Sequence, residues 1–218
     1  MRAEAKEDLS LKYIYVEPDD YQQDKAYDLM LVLHGFGANM QDLAGLTPMI
    51  NHNDYIYICP NAPLEFDLGF GSLGYGWHPP RDLCTEEDLV AAVSTLDIFI
   101  DEVFDSYNLQ ASSNKILGFS QGGGMTYRCG LSKPDRFDRL IGLSASMPNP
   151  DSLLNIVPYD KTQKIFIAHG TTDSVVPVNN AEETKAFLSG QGYDVVYNTY
   201  NMGHEIRENV ISDIVDWL

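Results

Sequence analysis

The chain has 218 residues, 44% of them hydrophobic and 11% aromatic, which suits one domain with a sizeable core and excludes a disordered polypeptide. Its 32 acidic residues against 14 basic ones leave a formal net charge of -18. That excess excludes a nucleic-acid binder and a ligand of anionic membrane surfaces, because both need a cationic patch.

Three cysteines, Cys59, Cys84 and Cys129, cannot all pair and form no C-x-x-C, so neither a disulfide framework nor a zinc knuckle is indicated. The first eight residues are charged and lack an apolar signal-peptide core, and no run approaches membrane-spanning length. These features predict a reduced, cytoplasmic setting without stable membrane insertion. The surplus acid fits either a soluble, self-repelling protein or adaptation to high salt.

In chain order, Leu11 to Val16 reads as an opening strand, stopped by Glu17-Pro18-Asp19-Asp20. Leu29 to Leu33 and Tyr55 to Cys59 are short apolar runs, as expected of strands buried on both faces. Residues 61–81 carry no helix signal. Their apolar side chains alternate through Leu64, Phe66, Leu68 and Phe70, then Leu73, Tyr75 and Trp77, with glycines at 69, 71, 74 and 76. So long a loop inside a compact domain is usually functional. It is expected to be a flap whose Phe66, Phe70, Leu73 and Trp77 line an acyl pocket, with a hairpin folded onto the body as the alternative.

Thr85 and Asp88 then make a capping box, with Glu86 and Glu87 favourably placed in the helix dipole. Leu89, Ala92, Val93, Leu96, Phe99, Ile100 and Val103 follow as a core-facing helical stripe. Lys115 to Leu117 reads as a strand, Gly122 to Leu131 as a helix, and Leu140 to Leu143 and Lys164 to Ala168 as strands. Ala181 to Leu188 reads as a helix closed by Gly190, Asp194 to Tyr197 as the last strand and Ile206 to Leu218 as a terminal helix. Strands alternating with helices predict one α/β domain over residues 1–218, a mainly parallel sheet with helices on both faces.

Gly118-Phe119-Ser120-Gln121-Gly122 stands between a strand and a helix. This is the G-x-S-x-G nucleophile elbow, where a sharp turn lifts a serine clear of the sheet edge. A serine hydroxyl is a poor nucleophile near neutral pH and needs a base, itself oriented by a carboxylate. Parallel-sheet hydrolases supply these later in the chain, in the order Ser, Asp, His. Asp173 follows the strand ending at Ala168, and His204 lies between the last strand and the terminal helix, both at the edge where such sheets bind ligands.

Of the five histidines, His34 and His169 each precede a glycine at a strand end and are expected to hold their loops; His52 lies among polar residues. His78 could touch substrate but precedes Ser120. His204 alone satisfies both order and location. An oxyanion hole needs two N–H donors. Gln121, after the nucleophile, supplies one, and Phe36, in the loop Leu33-His34-Gly35-Phe36-Gly37, is the candidate for the other.

The chain resembles the phospholipase/carboxylesterase family of α/β-hydrolases, which includes bacterial carboxylesterases and acyl-protein thioesterases. The matching blocks are Leu33-His34-Gly35-Phe36-Gly37, Pro60-Asn61-Ala62-Pro63, Gly118 to Gly123, His169 to Asp173 with Val176-Pro177, and Gly203-His204-Glu205-Ile206. The resemblance implies an α/β-hydrolase fold, a Ser120–His204–Asp173 triad and oxyanion donors at Phe36 and Gln121. It implies hydrolysis of short- to medium-chain acyl esters without a cofactor or metal, with acyl-protein thioesterase or lysophospholipase as alternatives. The partner is then a small acyl ester or thioester, with a homodimer left open. A catalytically idle binding protein on the same scaffold is the rival from another class. The family often carries Trp-Tyr/Phe-Asp where this chain has Trp77-His78-Pro79, a departure that bears on substrate more than on chemistry.

Overall fold

Along β3 (Asp28–Leu33), Leu29, Leu31 and Leu33 enter one apolar layer, while Met30 and Val32 enter another. That alternation is the strand's period of two, and it requires both faces to be covered. The computed structural model describes residues 1–69, 71–111, 113–146 and 149–218. It shows how the covering is done.

Eight strands form one sheet in the order β1-β2-β4-β3-β7-β8-β9-β10. The others are β1 (Arg2–Lys6), β2 (Tyr13–Glu17), β4 (Tyr55–Pro60), β7 (Asn114–Phe119), β8 (Phe137–Leu143), β9 (Lys164–Gly170) and β10 (Asp194–Tyr200). β1 and β2 run antiparallel at one edge, and every pairing from β4 to β10 is parallel. The strands β3, β7, β9 and β10 therefore end at the same side of the sheet.

One face is covered by α3 (Glu86–Ser106), α4 (Gln121–Gly130), α5 (Pro150–Leu154) and α6 (Asn179–Gly190), which contribute Leu96, Phe99, Ile100, Met125, Tyr127, Leu153 and Leu188 to the core. The other is covered by α1 (Met40–Ala44), α2 (Thr47–Ile50) and α7 (Glu208–Trp217), through Leu43, Ile50, Val210, Ile211 and Ile214. The expected capping box starts α3. Thr85 Oγ1 accepts the Asp88 N–H at 3.2 Å, and the Asp88 carboxylate accepts the Thr85 N–H at 2.8 Å.

Two regions differ from the sequence expectation. The charged N-terminus is strand β1, paired with β2 from Arg2 opposite Glu17 to Lys6 opposite Tyr13. It is largely exposed and edges the sheet, so it carries charge where an inner strand would carry apolar residues. Within residues 61–81, β5 (Leu64–Asp67) and β6 (Leu73–Gly76) pair antiparallel as a hairpin. This is the alternative to the flap, and Phe70 lies outside the described residues. Gly74 is no hinge: a Cβ there would sit 2.4 Å from the Gly37 carbonyl oxygen, so glycine is needed for close approach of two backbones.

Candidate active site

Ser120 sits at the junction of β7 and α4 with φ 54° and ψ −116°, a conformation that strains a residue carrying a Cβ. The surroundings enforce it. The Ser120 N–H donates to the Leu143 carbonyl at 2.8 Å, continuing the sheet pairing into the turn. A Cβ on Gly118 would lie 2.2 Å from the Gly122 carbonyl oxygen, and one on Gly122 would lie 2.2 Å from that of Leu33. The elbow's two glycines are thus steric requirements of the close approach of α4 to β7 and β3.

Two loops at the same sheet edge bring the other residues in. Ser120 Oγ lies 2.9 Å from His204 Nε2, and His204 Nδ1 lies 2.8 Å from Asp173 Oδ2. The carboxylate accepts a hydrogen bond from Nδ1–H, which leaves the Nε2 lone pair free to accept one from the serine hydroxyl. The other Asp173 oxygen accepts the N–H groups of Val175 at 2.9 Å and Val176 at 2.8 Å. Burial on its own would raise the Asp173 carboxyl, but the hydrogen bonds from His204 and these two amides outweigh it and hold the group below its ordinary value. The His204 ring also packs 4.8 Å from the Phe119 ring, which fixes its plane.

The remaining histidines do other work. His169 is fully buried; its Nε2 donates to the Val176 carbonyl at 2.7 Å and lies 3.5 Å from Asp173 Oδ2, bracing the Asp173 loop. In buried His34, Nδ1 donates to the Gly35 carbonyl at 2.7 Å and Nε2 accepts the Ala62 N–H at 3.1 Å. Burial pushes His34 below the usual imidazole range, which keeps this neutral tautomer. His52 is exposed. His78 is half-buried, its imidazole also lowered by burial, with Nδ1 2.8 Å from the Pro79 carbonyl oxygen.

Gly35 lies against Ser120: a Cβ there would be 3.3 Å from Ser120 Cβ. This brings the loop carrying Phe36 beside Ser120. Among the described residues, the N–H groups of Phe36 and Gln121 have no protein acceptor. Gln121 opens α4, whose free N–H groups and dipole favour negative charge.

Of the expected acyl-contact residues, Phe66 packs 4.9 Å from the Phe36 ring, and Leu73 is 45% exposed. Trp77 is only 1% exposed; its indole N–H donates to the His34 carbonyl at 2.9 Å, which makes it part of the core beneath the loop carrying Phe36. Phe70 lies outside the described residues. Sequence reading missed the Val175 and Val176 amides and the side chain of Gln121, which bonds Trp77 and His78. Among the described residues no cluster of His, Cys, Asp or Glu is arranged to hold a metal, and no helix is long and apolar enough to cross a membrane. A groove of about 460 Å³ between α3 and α5 has none of Ser120, Asp173 and His204 in its lining.

Comparison with known proteins gives the family and agrees with the fold. A profile of the Phospholipase/Carboxylesterase family matches residues 20–218. Acyl-protein thioesterase 1 of Aspergillus fumigatus is 26% identical over 207 residues, spanning 87% of this chain and 86% of that protein. The same-named protein of Emericella nidulans is 28% identical, spanning 74% and 75%. Among solved structures, a carboxylesterase from Mesorhizobium loti superposes with a TM-score of 0.81 at 16% identity, covering 100% of this chain and 98% of that one. Esterase PE8 gives a TM-score of 0.80 at 24% identity, with coverage of 100% and 98%. The chain belongs to the phospholipase/carboxylesterase family of α/β-hydrolases.

Proposed function

We propose that this protein is a serine carboxylesterase acting on short- to medium-chain acyl esters. The observation that carries the reading is the continuous chain Ser120 Oγ, His204 Nε2, His204 Nδ1, Asp173 Oδ2, with links of 2.9 and 2.8 Å. His204 takes the hydroxyl proton as Ser120 Oγ attacks the acyl carbonyl carbon. The carbonyl π pair moves onto oxygen, and the N–H groups of Phe36 and Gln121 receive that oxyanion. Asp173 stabilises the imidazolium. As the tetrahedral adduct collapses, the acyl–oxygen bond breaks and His204 protonates the departing alcohol. Water then attacks the acyl-enzyme by the same route, giving the carboxylic acid and free Ser120. No step requires a cofactor.

Phe66, Phe70, Leu73 and Trp77 belong to this reading as the apolar wall near the acyl chain. The contact between Phe66 and Phe36 supports it, while the buried position of Trp77 gives that residue an indirect part. The reading extends to a cytoplasmic enzyme, in keeping with its three free cysteines, and leaves a homodimer for sedimentation to test.

A second reading, an acyl-protein thioesterase, is favoured by the names of the fungal relatives. The two differ only in the leaving group, alcohol or thiol. A panel of p-nitrophenyl esters of rising chain length, run beside acyl thioesters and an S-acylated peptide, tests both. Higher kcat/KM on esters supports the first, and higher kcat/KM on the S-acyl peptide supports the second. Turnover of none of them contradicts both.

A further inference from the structure

We propose that the side chain of Gln121 is a positioning residue that ties the end of the β5–β6 hairpin to the nucleophile elbow and thereby sets the spacing of the two oxyanion donors. The inference rests on the hydrolase reading and adds a function for a side chain whose backbone alone that reading uses. Gln121 Oε1 accepts the Trp77 N–H at 2.8 Å, and Nε2 donates to the His78 carbonyl at 2.8 Å. Both partners are backbone groups, and they fix the carboxamide's orientation. The reverse flip would set donor against donor and acceptor against acceptor.

The segment held by Gln121 in turn holds the loop on the other side of the oxyanion site. Tyr75 accepts the Gly37 N–H and donates to the Ala38 carbonyl, each at 2.8 Å. The Trp77 indole bonds the His34 carbonyl at 2.9 Å. Phe36 therefore lies between two anchored points, His34 and Gly37. A Cβ on Gly76 would come 2.8 Å from the Phe36 ring, so the hairpin also presses on that side chain.

The result is a continuous frame running from the Gln121 backbone through its carboxamide to Trp77, then to Tyr75, Gly37 and Phe36. The two donor amides are its ends. Donors must lie about 2.7–3.1 Å from the developing oxyanion. A misplacement of about 1 Å is worth about 10²-fold in rate. Opening the frame at Gln121 should weaken transition-state stabilisation while leaving ground-state binding largely intact.

Gln121→Met removes both hydrogen bonds at similar side-chain length and keeps the backbone amide. Gln121→Glu keeps the acceptor for Trp77 and, when ionised, turns an oxygen against the His78 carbonyl. For p-nitrophenyl acetate, kcat should fall about 10- to 100-fold in Gln121→Met, with KM within about threefold. Affinity for a trifluoromethyl ketone, which forms an oxyanion on Ser120, should fall by the same factor. The carboxyl introduced by Gln121→Glu regains a donor for the His78 carbonyl once it is protonated. The activity of that variant divided by wild-type activity should therefore rise as pH is lowered toward about 5. Division by wild type at each pH removes the pH dependence the two proteins share; what remains belongs to the introduced carboxyl together with His78, whose Nδ1 lies 3.2 Å from Gln121 Nε2 and on which Asp88 and Arg128 also act.

Folded variants with kcat and inhibitor affinity within twofold of wild type overturn the proposal. So does a rise in KM alone. Should both variants fail to fold, hydrogen exchange in the wild type decides. A Trp77 amide protected like the sheet core supports the clamp, and one exchanging like an exposed loop overturns it. A wild-type protein inert toward fluorophosphonates would remove the hydrolase reading itself, which separates the two failures.

Discussion

Gly122 packs against the end of β3 so closely that a Cβ would lie 2.2 Å from the Leu33 carbonyl oxygen and 2.6 Å from that of His34. This contact sets α4, which follows Ser120, directly on the strand whose continuation carries Phe36. Ser120 and the loop carrying Phe36 are therefore neighbours because a glycine allows two backbones to touch.

Gly122→Ala should destabilise the protein by about 2–4 kcal/mol, since the clash is with backbone and not with the end of a flexible side chain. Urea unfolding at neutral pH measures this. A loss below about 0.5 kcal/mol would show that the elbow relaxes freely and that the tight approach is not a constraint.

Asp173→Asn should lower kcat by about 10³- to 10⁴-fold through the wrong His204 tautomer. Its stability effect should depend on pH. The folded carboxyl is more acidic than its ordinary value, so the folded state binds fewer protons than the unfolded one. Its contribution is full above the ordinary carboxylate value of about 3.9 and is lost as pH falls through the lower folded value. The stability gap between wild type and Asp173→Asn should accordingly narrow under acid conditions. A gap that widens as pH falls would contradict the hydrogen-bonding assigned to Asp173.

Much of this was legible in sequence, and the reasons for the rest are physical. Leu29 to Leu33 is buried on both faces and reads as a continuous apolar run; α3 announces itself by a capping box and a long helical stripe. Ser120 is legible from the G-x-S-x-G elbow, and Asp173 and His204 from the Ser, Asp, His chain order of α/β-hydrolases combined with their places after strands. The helices α1, α2 and α5, of five, four and five residues, are too short to show a 3.6-residue period. The Gln121 bonds join residues 44 and 43 positions away in sequence, which no local pattern encodes.

The hairpin offers a contrast between two of its apolar residues. Trp77→Phe should cost about 1–3 kcal/mol, because it leaves the buried His34 carbonyl without its donor. Leu73→Ala, at an exposed position, should melt close to wild type but lower kcat/KM for octanoyl esters about tenfold more than for acetyl esters. Thermal melts and a two-ester comparison measure both. Equal loss on the two esters with a large drop in Tm for Leu73→Ala would make Leu73 a structural residue.

A net charge of -18 implies self-repulsion that salt screens within a Debye length of about 10 Å at 0.1 M. Tm should rise with added sodium chloride, and neutral esters should be preferred to anionic ones. A Tm that falls with salt would count against this.

The most direct test of the account is fluorophosphonate labelling followed by peptide mapping, with Ser120→Ala beside the wild type. The account predicts modification of the wild type at Ser120 alone. It also predicts a folded Ser120→Ala protein that takes up no label and loses roughly 10⁴-fold or more of its esterase activity. Labelling at another residue, or Ser120→Ala activity within tenfold of wild type, would contradict it.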